Sequence, residues 1–202
     1  LKKCYDVGMR VYMIPKISDI LIRTSSNLNL FDTPILLSRN EGPQIDQLIV
    51  KRGIDIVVSI IGIIITAPLF LAFGAAIYFT DKGPIFYKQV RLTKGGELFD
   101  IYKFRTMRVD AENDGVARLA EEEDERITGV GKILRATRLD ELPQLFNIIK
   151  GEMSLVGPRP ERPEIAKEYM EDLPEFSMRL KMKAGLTGYA QVHGKYNTTP
   201  YD

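Results

Sequence analysis

The stretch from Ile56 to Phe79 contains no charged side chain, and it constrains the fold of this chain more than any other segment. A helix needs about 20 apolar residues to cross the hydrocarbon core of a bilayer. Ala67-Pro68 interrupts the stretch near its middle. Proline lacks the backbone N–H and disfavours the α conformation of the residue before it. We therefore predict a membrane segment that is broken at Ala67-Pro68.

Basic residues flank the apolar stretch on both sides. Lys51 and Arg52 precede it, and Lys82, Lys88 and Arg91 follow it. Because Lys and Arg concentrate on the cytoplasmic side of membrane segments, this pattern favours a helix–break–helix hairpin that returns to the face it entered from. A proline-kinked spanning helix and a buried core helix are alternatives that the residues alone leave open.

Composition excludes some classes of function. The net charge of +1 gives no reason to expect a nucleic-acid partner, and the single cysteine cannot form an internal disulfide. No Cys/His cluster suggests a zinc site. The basic segment between Lys82 and Arg108 suits anionic lipid head groups or a phosphorylated substrate.

The chain divides into three parts by pattern. Residues 1–43 are interpreted as the end of an upstream domain plus a Gly-Pro linker, and residues 44–81 as an amphipathic lead-in and the membrane segment. Residues 82–202 predict a small mixed domain of the α/β (α+β) class. Its predicted elements are a β-hairpin over 85–107, a helix over 127–138 and a second helix over 165–183.

Two details of these elements bear on the site. Alternation in the return strand of the hairpin puts Lys103 and Arg105 on one face, where they could bind an anion. The helix over 127–138 is predicted to turn Val130, Ile133 and Leu134 inward.

Adjacent carboxylates at Asp140 and Glu141 are the most informative polar residues. Asp140 could simply cap the helix that follows, with Gly151 at its end. Together with Arg135 and Arg159 nearby in the sequence, the pair could instead hold a divalent metal, supply a nucleophile or act as acid and base.

Two other sites have weaker signals. Arg159 and Arg162 lie between prolines that stiffen the backbone, and guanidinium groups held in this way make bidentate contacts to phosphate oxygens. His193, the only histidine, is a candidate acid or base, although a lone histidine in a strand is more often structural.

Six segments, taken in order, resemble the bacterial sugar transferase family of monotopic polyprenyl-phosphate phosphoglycosyl transferases, in its large form with a truncated accessory domain. They are KRGIDIVVS, the proline-broken apolar run, GPIFYKQVR, FDIYKFRTM, ITGVGKILRATRLDELPQLFNIIKGEMSLVGPRPE and KAGLTGYAQVHG. The resemblance covers about residues 50–196. It implies that residues 1–43 are the end of a Rossmann-like accessory domain and that residues 82–202 are a cytosolic catalytic domain with an incomplete C-terminus.

The resemblance implies a reaction and a site. A sugar 1-phosphate would pass from a nucleotide diphosphate sugar to undecaprenyl phosphate through a covalent aspartyl-phosphosugar intermediate. The donor of such transferases is usually a UDP-sugar. Asp140 would be the nucleophile and the ligand of Mg²⁺, and Glu141 its partner carboxylate. The phosphate-binding residues would be Lys103, Arg105, Arg135 and Arg159. Ala67-Pro68 would be the break of a re-entrant membrane helix.

The resemblance also implies a setting. The protein would lie in the bacterial inner membrane, in contact with its lipids, with the catalytic domain facing the cytoplasm. It would begin the synthesis of an exopolysaccharide, capsule, O-antigen or glycoconjugate. The sugar and the pathway are not readable from the residues, and a homodimer is left open. Two alternative functions are a non-catalytic membrane adaptor of the same fold and a membrane-anchored, metal-dependent sugar-nucleotide hydrolase.

Overall fold

The computed structural model describes residues 26–30, 33–37, 44–109, 111, 124–188 and 191–192. It divides into two compact units, residues 1–48 and 49–202. In the first unit, strands β1 (Ser26–Leu30) and β2 (Thr33–Leu37) pair antiparallel, with Ser26 opposite Leu37. Most of the predicted accessory-domain remnant, and His193, lie outside the described residues.

Helix α1 (Ile45–Asp81) contains the apolar stretch, with Pro68 inside it. The predicted division into two helices at Ala67-Pro68 is not confirmed: one helix of 37 residues, about 55 Å along its axis at 1.5 Å per residue, runs through both. Packing of Phe70 and Phe73 on Phe104, in the turns after the proline, helps to offset the cost of the missing backbone hydrogen bond.

Helix α1 is long and apolar enough to cross a membrane by length and composition. Only 6% of its most apolar 18-residue stretch is buried, which argues against the alternative of a core helix. Apolar side chains such as Ile64, Ile65 and Leu71 are at least two-thirds exposed. Association with a membrane explains this exposure, since large exposed apolar surfaces are rare on soluble proteins.

Residues 49–81 of α1 belong to the second unit, and one narrow stripe of this helix packs on the rest of that unit. Near its start, Arg52 donates hydrogen bonds to the carbonyl oxygens of Ile148 and Ile149, at 2.6 and 2.8 Å. At its end, Asp81 accepts from the backbone N–H of Val109 at 3.1 Å. The residues between them that are buried or packed against the core repeat at helical spacing: Asp55, Ser59, Ile63, Phe70, Phe73 and Ile77.

Asp55 fastens α1 through several hydrogen bonds. Its carboxylate accepts from the hydroxyl of Ser154 at 2.9 Å, from the backbone N–H of Leu155 at 3.1 Å and from Lys51 at 3.3 Å. Lys51 also donates to Ser154. Burying a carboxylate is expensive unless it is paired. The burial of Asp55, with 5% of its surface exposed, is therefore balanced by these partners.

The predicted β-hairpin is confirmed. Strands β3 (Phe86–Leu92) and β4 (Leu98–Phe104) pair antiparallel with Phe86 opposite Phe104. A short 3₁₀ turn (Lys94–Gly96) joins them, and its two glycines have φ of 74° and 80°, which disfavours side chains with a Cβ. Phe99 and Ile101 of β4 face the core.

The remaining elements follow the hairpin in this order: α2 (Gly129–Thr137), a 3₁₀ turn (Leu139–Glu141), α3 (Gln144–Lys150), β5 (Met153–Val156), α4 (Pro163–Asp172), a 3₁₀ helix (Pro174–Lys181) and β6 (Ala184–Thr187). Strands β5 and β6 pair parallel, Met153 opposite Ala184. The single helix predicted over 165–183 is thus wrong, because Pro174 ends α4 and begins a 3₁₀ helix.

Two apolar clusters hold these elements together. One joins β4, α3, β5 and β6 through Phe99, Ile101, Leu145, Ile148, Met153 and Ala184. The other joins α1, β4 and α2 through Ile77, Phe104 and Leu134. The inward placement predicted for Ile133 is wrong: its side chain is 64% exposed, whereas Leu134 is fully buried.

Candidate active site

Helix α2 is docked against the end of β4 through Thr106. A Cβ at Gly131 would overlap the carbonyl oxygen of Thr106, so only glycine permits this approach. Thr128 caps α2 by accepting from the backbone N–H of Gly131 at 3.0 Å. Near the end of the helix, Nε of Arg135 donates to the hydroxyl of Thr106 at 2.9 Å. These contacts fix Arg135 beside the strand that carries Lys103.

The carboxylate pair lies in the short turn after α2. Arg138 ends the helix in the left-handed conformation, with φ of 57°, and the chain then enters the 3₁₀ turn that contains Asp140 and Glu141. Helix α3 starts after Pro143 and has no side-chain cap. The capping role considered for Asp140 is therefore wrong, and helix capping does not explain why a carboxylate stands at this position.

Glu141 is paired with Lys103. Their Nζ and Oε1 atoms are 2.8 Å apart, and both side chains are largely buried. Burial alone would raise the pKa of Glu141, but Lys103, together with Arg159 and Arg138, outweighs it and lowers that pKa. Glu141 is therefore ionised at neutral pH and held in place.

Asp140 is in a different environment, although it is the next residue. It is 6% exposed, and its Oδ1 is buried without a hydrogen-bond partner among the described residues. Burial raises the pKa of Asp140, and the negative charge of Glu141 adds to the effect, while Lys103 and Arg135 oppose it. A buried carboxylate oxygen without a partner is costly in a folded protein, which indicates a role in binding or catalysis.

Arg159 lies on the loop that follows β5, and glycines fasten this loop to β6. The backbone N–H of Gly157 donates to Thr187 at 2.9 Å, and that of Gly185 donates to Pro158 at 2.8 Å. A Cβ at Gly185 would overlap the backbone of Gly157. The charge of Arg159 lowers the pKa of Glu141. This loop is therefore close enough to act electrostatically on the carboxylate pair.

The geometry thus gathers two carboxylates and the predicted cations Lys103, Arg135 and Arg159 around one turn. The family model described as bacterial sugar transferase matches residues 46–202, which include every one of these side chains. The chain belongs to the bacterial sugar transferase family.

Curated relatives of this sugar transferase carry names that agree with the family. A UDP-N-acetylgalactosamine-undecaprenyl-phosphate N-acetylgalactosaminephosphotransferase of Aeromonas hydrophila is 38% identical over 197 residues, which are 96% of this chain and 45% of that protein. A UDP-glucose:undecaprenyl-phosphate glucose-1-phosphate transferase of Klebsiella pneumoniae is 36% identical over 189 residues, 94% of this chain and 40% of that protein.

A third relative carries the name of a different sugar. The undecaprenyl-phosphate galactose phosphotransferase of Salmonella typhimurium is 36% identical over 208 residues, 95% of this chain and 43% of that protein. The chain spans less than half the length of these three relatives.

Arg105, also predicted to bind phosphate, is ion-paired with Asp81 rather than with the carboxylate turn, and two of its guanidinium nitrogens have no hydrogen-bond partner among the described residues. Its guanidinium group is buried beside Asp81, at 3.6 Å, and a Cβ at Gly83 would overlap it. Its described contacts join the end of α1 to the chain after β4. The alternation that paired it with Lys103 does not extend this far, because β4 ends at Phe104.

Sequence reasoning missed Asn147, which is fully buried in α3. Its amide donates to the carbonyl oxygen of Asp100 at 2.7 Å and to Glu152 at 2.6 Å, and its Oδ1 accepts from the backbone N–H of Tyr102 at 3.0 Å. Asn147 thereby binds the free edge of β4 to the helix that follows Glu141. The signal in the sequence was a polar residue at a core position of an apolar helix.

Proposed function

We propose that this chain carries the catalytic part of a phosphoglycosyl transferase. In this proposal it moves a sugar 1-phosphate from a UDP-sugar to undecaprenyl phosphate, and so begins the assembly of a polysaccharide or glycoconjugate. The relatives' names support the general reaction but differ in the sugar, so the donor is proposed as a UDP-sugar without a choice among sugars.

The observation that carries the proposal is the unequal environment of the two carboxylates. Glu141 is neutralised by Lys103, whereas Asp140 keeps an oxygen without a hydrogen-bond partner in the described part of the chain. An attacking oxygen must have a free lone pair, and a carboxylate is an established nucleophile for phosphoryl groups. Asp140 is therefore the better nucleophile, and Glu141 is available to orient the acceptor.

The chemistry proceeds in two displacements at one phosphorus atom. A carboxylate oxygen of Asp140 bonds to the sugar-bearing phosphorus, and the bond from that phosphorus to the bridging oxygen breaks. UMP leaves with the electron pair. An oxygen of undecaprenyl phosphate then bonds to the same phosphorus and the bond to Asp140 breaks, which regenerates the carboxylate and gives undecaprenyl diphosphate sugar. Covalent catalysis of this kind splits one difficult transfer into two.

The cations around the turn bind and orient charge during these displacements. Phosphoryl transfer depends mainly on positioning and on neutralising the phosphoryl oxygens. Lys103 and Arg135 act electrostatically on Asp140, and Arg159 acts on Glu141, so all three are placed to attract a diphosphate to the turn. Guanidinium groups add bidentate contacts to phosphate.

The residues present fit a bound Mg²⁺. This ion usually takes one or two carboxylates together with substrate phosphates, and no described group of three or more His, Cys, Asp or Glu forms a complete protein cage. The Asp140 carboxylate, whose Oδ1 has no hydrogen-bond partner among the described residues, would hold it through one oxygen and keep the other for attack. When bound, Mg²⁺ would offset the negative charge of the diphosphate.

The contacts of α1 support a monotopic arrangement. Arg52 near one end and Asp81 at the other both bond to the same folded unit. If both ends contact one domain, both lie on the same side of the membrane, and the exposed apolar face of the helix enters the lipid from that side. We assign that side to the cytoplasm, at the inner membrane, because nucleotide sugars are cytoplasmic substrates of this proposed reaction.

Nucleotide release tests the proposal. The full chain in lipid nanodiscs is given UDP-glucose, UDP-galactose or UDP-N-acetylgalactosamine, with and without undecaprenyl phosphate and Mg²⁺, and UMP is measured. We expect multiple turnovers only when lipid acceptor and Mg²⁺ are both present. Multiple turnovers without the lipid would instead favour the hydrolase, and no release with any donor would favour the adaptor.

A further inference from the structure

A second group of charged residues surrounds the loop that carries Arg159. Glu161 lies between two arginines from distant parts of the chain: its Oε2 is 3.8 Å from Arg91 of β3, and its Oε1 is 3.7 Å from Arg179 of the last 3₁₀ helix. All three side chains are less than one-quarter exposed. Ion pairs in such partly buried places are screened less than those on the surface.

Both arginines also bind the backbone of this loop. Arg179 donates to the carbonyl oxygen of Arg159 itself, at 2.9 Å, and Arg91 donates to that of Pro160 at 3.2 Å. The backbone N–H of Leu92 donates to the carbonyl oxygen of Glu161 at 3.0 Å. The loop is therefore fixed from both sides at and next to Arg159, whose charge acts on Glu141.

Arg179 is itself held rigidly. Its guanidinium lies over the ring of Phe176, 4.2 Å from the centroid, and Phe176 packs edge-to-face on Tyr169. Stacking on an aromatic ring fixes the plane of the guanidinium and so the direction of its N–H groups. The contact from Arg179 to the carbonyl oxygen of Arg159 thus has a defined geometry.

Charge balance makes Glu161 the key member of the group. The pKa of Arg91 is lowered to about 10, chiefly by burial and also by Arg162 and Arg159, while Glu161 opposes this shift. Burial and Arg159 likewise lower the pKa of Arg179, which Glu161 raises. Without this carboxylate, several partly buried cations would repel one another, and Arg159 would be free to move away from them.

We propose that Glu161 and Arg179 are positioning residues that set the location of Arg159 for the phosphates of the nucleotide-sugar donor. Neither residue is proposed to touch the reacting atoms. The inference rests on the proposed function, since it assigns the donor phosphates as the group that Arg159 binds. It predicts that Glu161 affects donor affinity through Arg159 rather than through the stability of the fold alone.

The test is a double-mutant cycle on donor binding. The dissociation constant of UDP-glucose, or of whichever UDP-sugar is turned over, is measured with Mg²⁺ for the chain with Asp140→Asn, which cannot react with the donor, and for Glu161→Gln, Arg159→Ala and the double variant in that same background. We expect Glu161→Gln to weaken binding about three- to tenfold, the range for one lost partly buried ion pair, and, in the chain with Asp140 intact, kcat to change less than KM. In the Arg159→Ala background the same substitution should have less than a twofold effect.

Two further variants separate positioning from stability. Glu161→Asp keeps the charge and should recover most of the donor affinity, whereas Glu164→Gln changes an exposed glutamate three residues away and should have no effect. Equal donor affinity with and without Glu161→Gln would overturn the proposal, as would an equal loss in the Arg159→Ala background. A chain with Asp140 intact that binds donor but never transfers would instead contradict the proposed function, and the binding cycle would still decide the role of Glu161.

Discussion

Substitution of Asp55 by asparagine tests how α1 is fastened to the rest of the molecule. Asparagine keeps the size of aspartate and one acceptor oxygen for the backbone N–H of Leu155. Its amide group would face Lys51 and Ser154, both of which donate to the carboxylate. The substitution therefore removes the charge without leaving a cavity.

The expected loss of stability follows from these contacts. The hydrogen bond from Ser154 to a buried carboxylate is worth about 1.5–3 kcal/mol, as for other bonds to charged groups. The contact from Lys51 is worth about 0.5–1 kcal/mol, since the lysine is 41% exposed and stays hydrated. The sum is about 2–4 kcal/mol, which for a chain of this length lowers Tm by about 5–15 °C.

Thermal unfolding in nanodiscs, followed by tyrosine fluorescence, measures this loss. Asp46→Asn is the matched control, because Asp46 lies in the first turn of the same helix and is exposed. We expect the control to melt within about 1 °C of the unchanged chain, as surface substitutions usually do. If Asp55→Asn melted with its control, the Asp55 contacts would not be what holds α1 to β5.

Three further predictions concern the site and its support. Lys103→Met should lower kcat/KM about 100- to 1,000-fold, as loss of one charge-stabilising group does. Because Lys103 lowers the pKa of Asp140, its loss should also move the acid limb of the pH–rate profile to higher pH. Arg105→Gln should lower Tm through its lost contact with Asp81 but leave the KM for donor within about twofold, and a large rise in KM would return Arg105 to the phosphate site. Gly185→Ala should destabilise the fold by about 2 kcal/mol or more, measured by urea unfolding, because its Cβ would overlap the backbone of the neighbouring loop; an unchanged midpoint would contradict that close approach.

Local patterns predicted the hairpin and where the candidate site lies in the sequence. Period-two alternation and a glycine turn define β3 and β4 whatever surrounds them, and the run of charges from Arg135 to Glu141 could be located without coordinates. Tertiary packing decided the rest. Pro68 stays inside a helix because aromatic side chains in the next turns pack on the domain, and no local rule contains those contacts.

The sequence also could not show which positions of a short helix face the core. Ile133 has the helical spacing of a core residue, yet Gly131 and Leu134 are the positions that α2 turns towards the domain. Similarly, Asp140 has the sequence position of a helix cap, and only the backbone conformation of Arg138 places it in a separate turn. Periodicity gives the spacing of a face but not which neighbour covers it.

Trapping of the covalent intermediate tests the central claim most directly. The full chain and Asp140→Asn are incubated with Mg²⁺ and a UDP-sugar labelled with ³²P on the sugar-bearing phosphate, without undecaprenyl phosphate, and then quenched in acid. We predict that the unchanged chain becomes labelled and releases no more than one UMP per site, that the label leaves when the lipid is added, and that Asp140→Asn stays unlabelled. Equal labelling of both proteins would contradict the assignment of Asp140 as the nucleophile.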